Sequence, residues 1–236
     1  YRNLFLRLRF RLRLRRHLRR PALDVDPENP PDVVVIAEGT NDDDRISAFV
    51  DDANQLHVIV NDDETVINSD DVDGIIVLAK DGNDRVHIDE SVFQWTQIHG
   101  GEGNDGIQGG SGNDYINAGA GNDRVRGGAG NDLIIGGHGN DVLAGGLGND
   151  AMLGSQGDDR MHGGVGNDAM AGGSGNDVVN GNHGQDWVFG DATNGVPDDY
   201  AGLHDYARRY GDANRGNDVV GGGAGNDVLL AGRGND

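Results

Sequence analysis

Between Gly127 and Asp150 the chain reads GGAGNDLIIGGHGNDVLAGGLGND, nearly the same nine-residue phrase three times over. Each copy is Gly-Gly-x-Gly-Asn-Asp followed by three residues whose middle member is apolar. Glycine adopts positive φ at no steric cost, so a Gly-Gly-x-Gly run can curl tightly and turn successive carbonyls inward. The three residues that follow suit a short strand with its central side chain pointing in and its neighbours pointing out. One copy is then half a coil. Two copies return the chain to its starting edge, which stacks turns eighteen residues apart.

Ten such nonapeptides run without a gap from Gly100. Their sixth residues are Asp105, Asp114, Asp123, Asp132, Asp141, Asp150, Asp159, Asp168, Asp177 and Asp186, and every fourth residue is glycine. The eighth is always apolar: Ile107, Ile116, Val125, Ile134, Leu143, Met152, Met161, Met170, Val179 and Val188. Stacking places Asp105, Asp123, Asp141, Asp159 and Asp177 along one edge and Asp114, Asp132, Asp150, Asp168 and Asp186 along the other. Carboxylates and carbonyls at a turn, with no sulfur and no systematic histidine, suit a hard cation with many oxygen ligands, Ca²⁺ in preference to Zn²⁺ or a transition metal. If one ion fills each gap between stacked turns, the block holds about eight. One small apolar core residue in nine cannot offset the cost of ordering the other eight, so metal binding is expected to supply much of the folding free energy.

Composition agrees. The 236 residues include 42 glycines and are 35% hydrophobic, which without metal leans toward disorder. Net charge is −21, yet nine of the 19 Lys and Arg fall in the first twenty residues, so the rest of the chain carries ten basic against forty acidic groups. Such a body repels itself unless cations bind, and it argues against nucleic acid as a partner, the N-terminal tail being the only basic run. There is no cysteine, which excludes disulfides and thiolate ligands. No stretch of about 18 apolar residues would span a membrane as a helix.

The phrase resembles the RTX (repeat-in-toxin, hemolysin-type) calcium-binding nonapeptide, G-G-x-G-x-D-x-U-x, a repeat of Ca²⁺-binding parallel β-helices. The resemblance covers residues 100 to about 190 in register and resumes at Asn214 to Asp236. It implies an all-β parallel β-roll, or β-solenoid, with Ca²⁺ held between turns by the sixth-position Asp and by turn carbonyls. The implied carbonyl donors are Gly101, Gly103, Gly110, Gly112, Gly119, Gly121, Gly128, Gly130, Gly137, Gly139, Gly146, Gly148, Gly164, Gly166, Gly173 and Gly175. Asp218, Asp227 and Asp236 extend the carboxylate set, and Asp84 joins it from a degenerate turn. The family further implies a bacterial protein that is secreted or displayed at the cell surface, often by type I secretion, and ordered by calcium after export. Ala118, Ser155, Asn182, Asp158 and Gln185 depart from the pattern, and weaker sites are expected near Asp159 and Asp186.

The flanks are less regular. Residues 1–23, in which Leu or Phe alternates with Arg, read as a basic leader or disordered tail, with a polybasic surface anchor as the alternative. Residues 24–99 suggest short strands at Val33–Ile36, Ile46–Val50, Leu56–Val60, Ile75–Leu78 and Val86–Ile88, either wider coils that extend the roll or a separate small β-domain. Gly82-Asn83-Asp84 and Thr40-Asn41-Asp42 look like degenerate calcium turns. The main roll spans 100–191. Phase breaks at 192–213, where Pro197-Asp198-Asp199 opens a pattern of Tyr200, Leu203, Ala207 and Tyr210 that predicts a short amphipathic helix ending near Gly211. The roll resumes over 214–236 and stops within a repeat, so the chain is read as a piece of a longer protein.

Three functions compete. The first is a calcium-binding structural or adhesive module with no catalytic residues and an unspecified cell-surface, carbohydrate or protein partner. The second is the repeat section of a larger RTX enzyme or toxin whose catalytic domain lies elsewhere. The chain has no H-E-x-x-H and no G-x-S-x-G, and His57, His87, His99, His138, His162, His183 and His204 share no ligand spacing. The third is ice binding through ladders of the fifth-position Asn, which the absence of threonine at the third position disfavours.

Overall fold

The computed structural model describes residues 33–191 and 217–230, together with the backbone of Arg15–Arg16. The predicted helix between Pro197 and Gly211, and Asp236, lie outside the described residues.

Two ten-stranded sheets face each other across an apolar core. The chain alternates between them, so each strand pairs in parallel with the strand one coil away. In the repeat block the first sheet holds β8 (Trp95–Glu102), β10 (Tyr115–Ala120), β12 (Leu133–His138), β14 (Ala151–Gln156), β16 (Ala169–Ser174) and β18 (Trp187–Asp191). The second holds β9 (Gly106–Gln108), β11 (Arg124–Ala129), β13 (Val142–Leu147), β15 (Arg160–Val165) and β17 (Val178–His183). Register is eighteen residues throughout, as in Ile116 beside Ile134 and Val125 beside Leu143. The eighth-position side chains are buried, among them Ile116, Ile134, Met152 and Met170 from one sheet and Leu143, Met161 and Val179 from the other. The alternation of in and out along three residues follows from the strand pleat. The structure is therefore the expected parallel β-solenoid.

The N-terminal strands belong to the same two sheets. β2 (Val33–Glu38) and β6 (Gly74–Asp81) continue the first sheet beyond β8; β3 (Arg45–Val50) and β7 (Arg85–Ile88) continue the second beyond β9. A two-residue β1 (Arg15–Arg16) pairs antiparallel with β2. After β3 the chain makes an antiparallel excursion through β4 (Gln55–Val60) and β5 (Asp63–Asn68), then a 3₁₀ turn at Ser69–Asp71, before rejoining the roll. β5 is not among the strands the sequence suggests: no side chain of its DETVIN is fully buried, Ile67 packs only partly against the core, and the strand forms the outer edge of the sheet. Strands at this end bury more than one apolar residue each, such as Ile75, Val77 and Ala79 in β6 and Val86 and Ile88 in β7. This end of the roll has the thicker core.

Beyond residues 192–216 the register is restored. β19 (Val219–Ala224) lies beside β17, and β20 (Val228–Leu230) beside β18. The roll beyond these residues therefore continues the same stack.

Candidate metal centre

Each turn is built by the glycines the sequence singles out. At Gly128 and Gly130 φ is 125° and 113°, and a β-carbon at either would strike the carbonyl oxygen of Gly110 or Gly112 in the coil before it. Three non-glycine residues take the same left-handed conformation at the second turn position: Lys80, Ser155 and Asn182, with φ of 87°, 88° and 73°. Ser155 and Asn182, departures in the sequence, thus preserve the turn. Gly110 and Gly112 do not share it, being absent from the positive-φ set. Their turn stacks on the irregular loop after β7, where Ser111 N–H donates to the Val92 carbonyl at 2.9 Å.

The turns carry two side-chain ladders that run in opposite directions. At the fifth position, each backbone N–H donates to the Asn of the preceding coil: Asn122 to Asn104 Oδ1 and Asn140 to Asn122 Oδ1, both at 2.8 Å. Asp158 replaces Asn in this ladder without breaking it, accepting from Asn176 N–H at 2.8 Å. At the sixth position, each Asp N–H donates forward to the Asp of the next coil. Along one edge Asp105, Asp123, Asp141 and Asp159 donate to Oδ1 of Asp123, Asp141, Asp159 and Asp177, each at 2.8 Å. Along the other, Asp114, Asp132, Asp150 and Asp168 donate to Oδ1 of Asp132, Asp150, Asp168 and Asp186, each at 2.9 Å. Asp177 and Asp186 continue both columns to Asp218 and Asp227 across 41 residues, at 2.9 and 3.0 Å.

The first column also extends backward. Asp84 N–H donates to Asp105 Oδ1, and Asp44 N–H to Asp84 Oδ1. Asp44, not Asp42, occupies the sixth position of the first turn; Asp42 is exposed. The other column begins at Thr96, whose N–H and hydroxyl both donate to Asp114 Oδ1 at 2.8 Å.

The ladder occupies one oxygen of each carboxylate and strands the other. Oδ2 of Asp84, Asp105, Asp123, Asp132, Asp141, Asp150, Asp159, Asp168, Asp177 and Asp186 is buried with no hydrogen-bond partner. A buried carboxylate oxygen without a donor is costly, and a column of them needs positive charge. Asp114 and Asp44 differ. Asp114 Oδ2 accepts from Gly110 N–H at 3.0 Å, and Asp44 accepts from the Asn61 amide at 2.7 Å and from the Thr40 N–H and hydroxyl.

Backbone oxygens converge on the stranded ones. A β-carbon placed at the first turn position would meet both the Asp Oδ2 of its own turn and a carbonyl of the next coil. For Gly127 these are Asp132 and the Gly145 carbonyl, the latter at 2.7 Å; for Gly163 they are Asp168 and the Gly181 carbonyl, the latter at 2.6 Å. This first-position carbonyl is absent from the set the sequence suggests. Its signal is present in the near-constant first glycine, whose lack of a side chain keeps the space open. The fourth-position carbonyls of Gly103, Gly121, Gly130, Gly139, Gly148 and Gly166 accept no backbone hydrogen bond among the described residues.

Burial dominates the electrostatics. Desolvation pushes Asp132 up to about 8, Asp141, Asp159, Asp168 and Asp177 to about 7, and Asp84, Asp105, Asp114 and Asp150 to about 6. Neighbouring carboxylates in the column add to the rise for Asp132, Asp141, Asp159, Asp168 and Asp177. Without a cation Asp132, Asp141, Asp159, Asp168 and Asp177 hold protons near neutrality; a divalent ion offers the same compensation with two charges.

The donor set is all oxygen. Among the described residues no three His, Asp or Glu side chains converge on one point. His57 instead bridges Asp51 and Glu64 on the hairpin, at 3.2 and 2.6 Å. A site here would therefore take one carboxylate per turn and draw its remaining ligands from carbonyls, which fits the flexible, many-oxygen shell of Ca²⁺ and does not fit Zn²⁺.

No curated protein matches the chain. The family model for the RTX calcium-binding nonapeptide repeat matches residues 97–125, 117–152, 135–170, 148–179, 162–196 and 211–236. These overlapping segments cover more than half of the sequence and coincide with the stacked turns whose carboxylate oxygens are left without donors. The chain belongs to the RTX calcium-binding nonapeptide repeat family.

Proposed function

We propose that this chain is a calcium-folded structural module that works outside a bacterial cell, secreted or held at its surface, in an adhesive or scaffolding role. The observation that carries the reading is the pair of columns of buried Asp Oδ2 atoms without donors. In this reading those oxygens bind Ca²⁺ between stacked turns together with the carbonyls of the first, second and fourth turn positions, with about eight ions in the main block. Asp218 and Asp227 continue the sites past the insertion. Calcium is scarce inside cells and plentiful outside, so a roll that needs it stays unfolded until export, which supports the extracellular assignment. No helix among the described residues is long and apolar enough to cross a membrane.

The test is far-UV circular dichroism during a Ca²⁺ titration from a chelated start, with Mg²⁺ as control. A cooperative gain of β-structure with Ca²⁺ alone, near the ~10⁻⁴ to 10⁻³ M range of extracellular calcium modules, is the expected result. A spectrum indifferent to Ca²⁺ defeats the reading.

A further inference from the structure

The described residues carry six Lys or Arg side chains: Arg45, Lys80, Arg85, Arg124, Arg126 and Arg160. Lys80 lies at a turn and pairs with Glu38 at 3.2 Å. The other five all stand at exposed, outward positions of the second sheet, and none forms a salt bridge among the described residues. In so acidic a protein, five unpaired arginines on a single face call for a partner.

Strand register orders them. Arg45 pairs beside Arg85, Arg85 and Arg124 flank Gly106, and Arg124 and Arg160 flank Val142. At about 4.8 Å between strands, successive charges from Arg85 onward stand about 10 Å apart along the roll axis. Gly106 brings no side chain, and a groove of about 350 Å³ opens there, bordered by Arg85, Gln108, Arg124 and Arg126. On β3, β7, β9, β11, β13, β15 and β17 the outward strand positions hold no Asp or Glu, the acidic residues being drawn to the edges by the turns; Glu64, on β5 beyond β3, is paired with His57.

We propose that the outward face of the second sheet binds a linear acidic polysaccharide, carboxylated or sulfated, laid along the roll axis with its acid groups on the arginine row. Guanidinium groups match planar and tetrahedral oxyanions by paired hydrogen bonds, and the even step from Arg85 to Arg124 to Arg160 suits a polymer with a repeating charge. Nucleic acid fits less well. Single strands are gripped by stacking on aromatic rings, and Phe49, on β3 of this sheet, is already stacked on His57 with centroids 4.5 Å apart. The proposal depends on the roll being folded and not on which residues bind the ions.

The experiment uses the full chain in calcium, with its fold checked by circular dichroism, and measures binding to heparin oligosaccharides, hyaluronate oligosaccharides, dextran and an oligo-dT strand. The two acidic glycans distinguish sulfate from carboxylate. Binding to at least one of them, weak or absent for dextran and oligo-dT, is expected. The double variant Arg85→Gln/Arg124→Gln should weaken it about tenfold or more, as the loss of charged hydrogen bonds does. Removing the same charge at Arg7→Gln/Arg9→Gln controls for the arginine-rich N-terminus. Failure to bind either acidic glycan, oligo-dT bound as tightly, a sheet variant indistinguishable from the parent, or an equal loss in the Arg7/Arg9 variant would each overturn the proposal.

Discussion

The backbone N–H of Asp123 donates to Oδ1 of Asp141, eighteen residues later, at 2.8 Å, while Oδ2 of the same Asp141 side chain is buried without a donor. One oxygen of this carboxylate serves the neighbouring coil, and in the proposed reading the other serves a cation. The two duties can be separated by substitution. Asp141→Asn keeps a carbonyl acceptor for the ladder and removes the charge; Asp141→Ala removes both. Both should raise the calcium needed for folding, and Ala should cost a further ~1 to 2 kcal/mol of stability in saturating calcium. Calcium titrations followed by circular dichroism, with denaturant melts at saturation, would measure the two effects. An unchanged calcium midpoint for Asp141→Asn rules out Asp141 as a ligand.

Acid should favour the metal-free roll. Asp132 and Asp141 have folded values of about 8 and 7, well above the ordinary 3.8 of an unfolded Asp. Between those limits the folded chain binds more protons than the unfolded one, so stability without metal falls as pH rises from about 4 to about 8. Calcium reverses the sign, because protons compete for its ligands and the midpoint for Ca²⁺ should move to higher concentration as pH falls through 7. Circular dichroism of the chelated protein from pH 4 to 8 checks the first trend, and titrations at several pH values check the second. A chelated roll that gains stability toward pH 8 contradicts this account.

Ala118 holds the first turn position, where a β-carbon built on the corresponding glycines meets the stranded carboxylate oxygen and the next carbonyl. In the proposed reading its methyl takes up space that a glycine would leave to the ion beside Asp123. Ala118→Gly should therefore tighten calcium binding, visible as one additional or stronger site by isothermal calorimetry. A loss of affinity would place the ion away from this position.

The two ends of the roll should part company when calcium is removed. Asp44 is satisfied by Asn61 and Thr40 without metal, and the strands around it bury two or three apolar residues each. Amides of β6 and β7 should remain protected from hydrogen exchange in chelator while those of β12 to β17 exchange freely. Uniform exchange along the chain would show that the thicker core does not hold alone. Asn61→Ala, which strips a donor from the buried Asp44 carboxylate, should reduce the residual protection by about 1 to 3 kcal/mol.

The stacking of Asp105 on Asp123 is legible in the sequence because nothing interrupts the nonapeptide phase between them. The same geometry at Asp44 and Asp84 is obscured, since the β4–β5 excursion stretches their interval to 40 residues. Lys80 blurs another turn: AKDGND reads only as a degenerate repeat, and the left-handed φ of Lys80 shows that it fills a glycine's place. Gly110 and Gly112 err the other way, matching the motif while resting on an irregular loop that imposes a different turn. The arginine row is invisible for a different reason. Arg45, Arg85, Arg124, Arg126 and Arg160 are scattered in sequence, and only pairing between coils brings them onto a single face. The first-position carbonyls show the limit of residue types as a guide, because a backbone oxygen has no letter.

The two opposed ladders make every joint between coils identical in kind, each coil reaching back with one N–H and forward with another. A joint that refers only to its neighbour carries no record of how many coils precede it. Duplication or loss of eighteen residues at any point in the block leaves all remaining joints as they were, and the 41-residue interval from Asp177 to Asp218 shows that a detour between two of them is tolerated as well. The length of such a molecule is therefore open to change in whole steps, so its reach can be lengthened or shortened in evolution without redesigning a single contact.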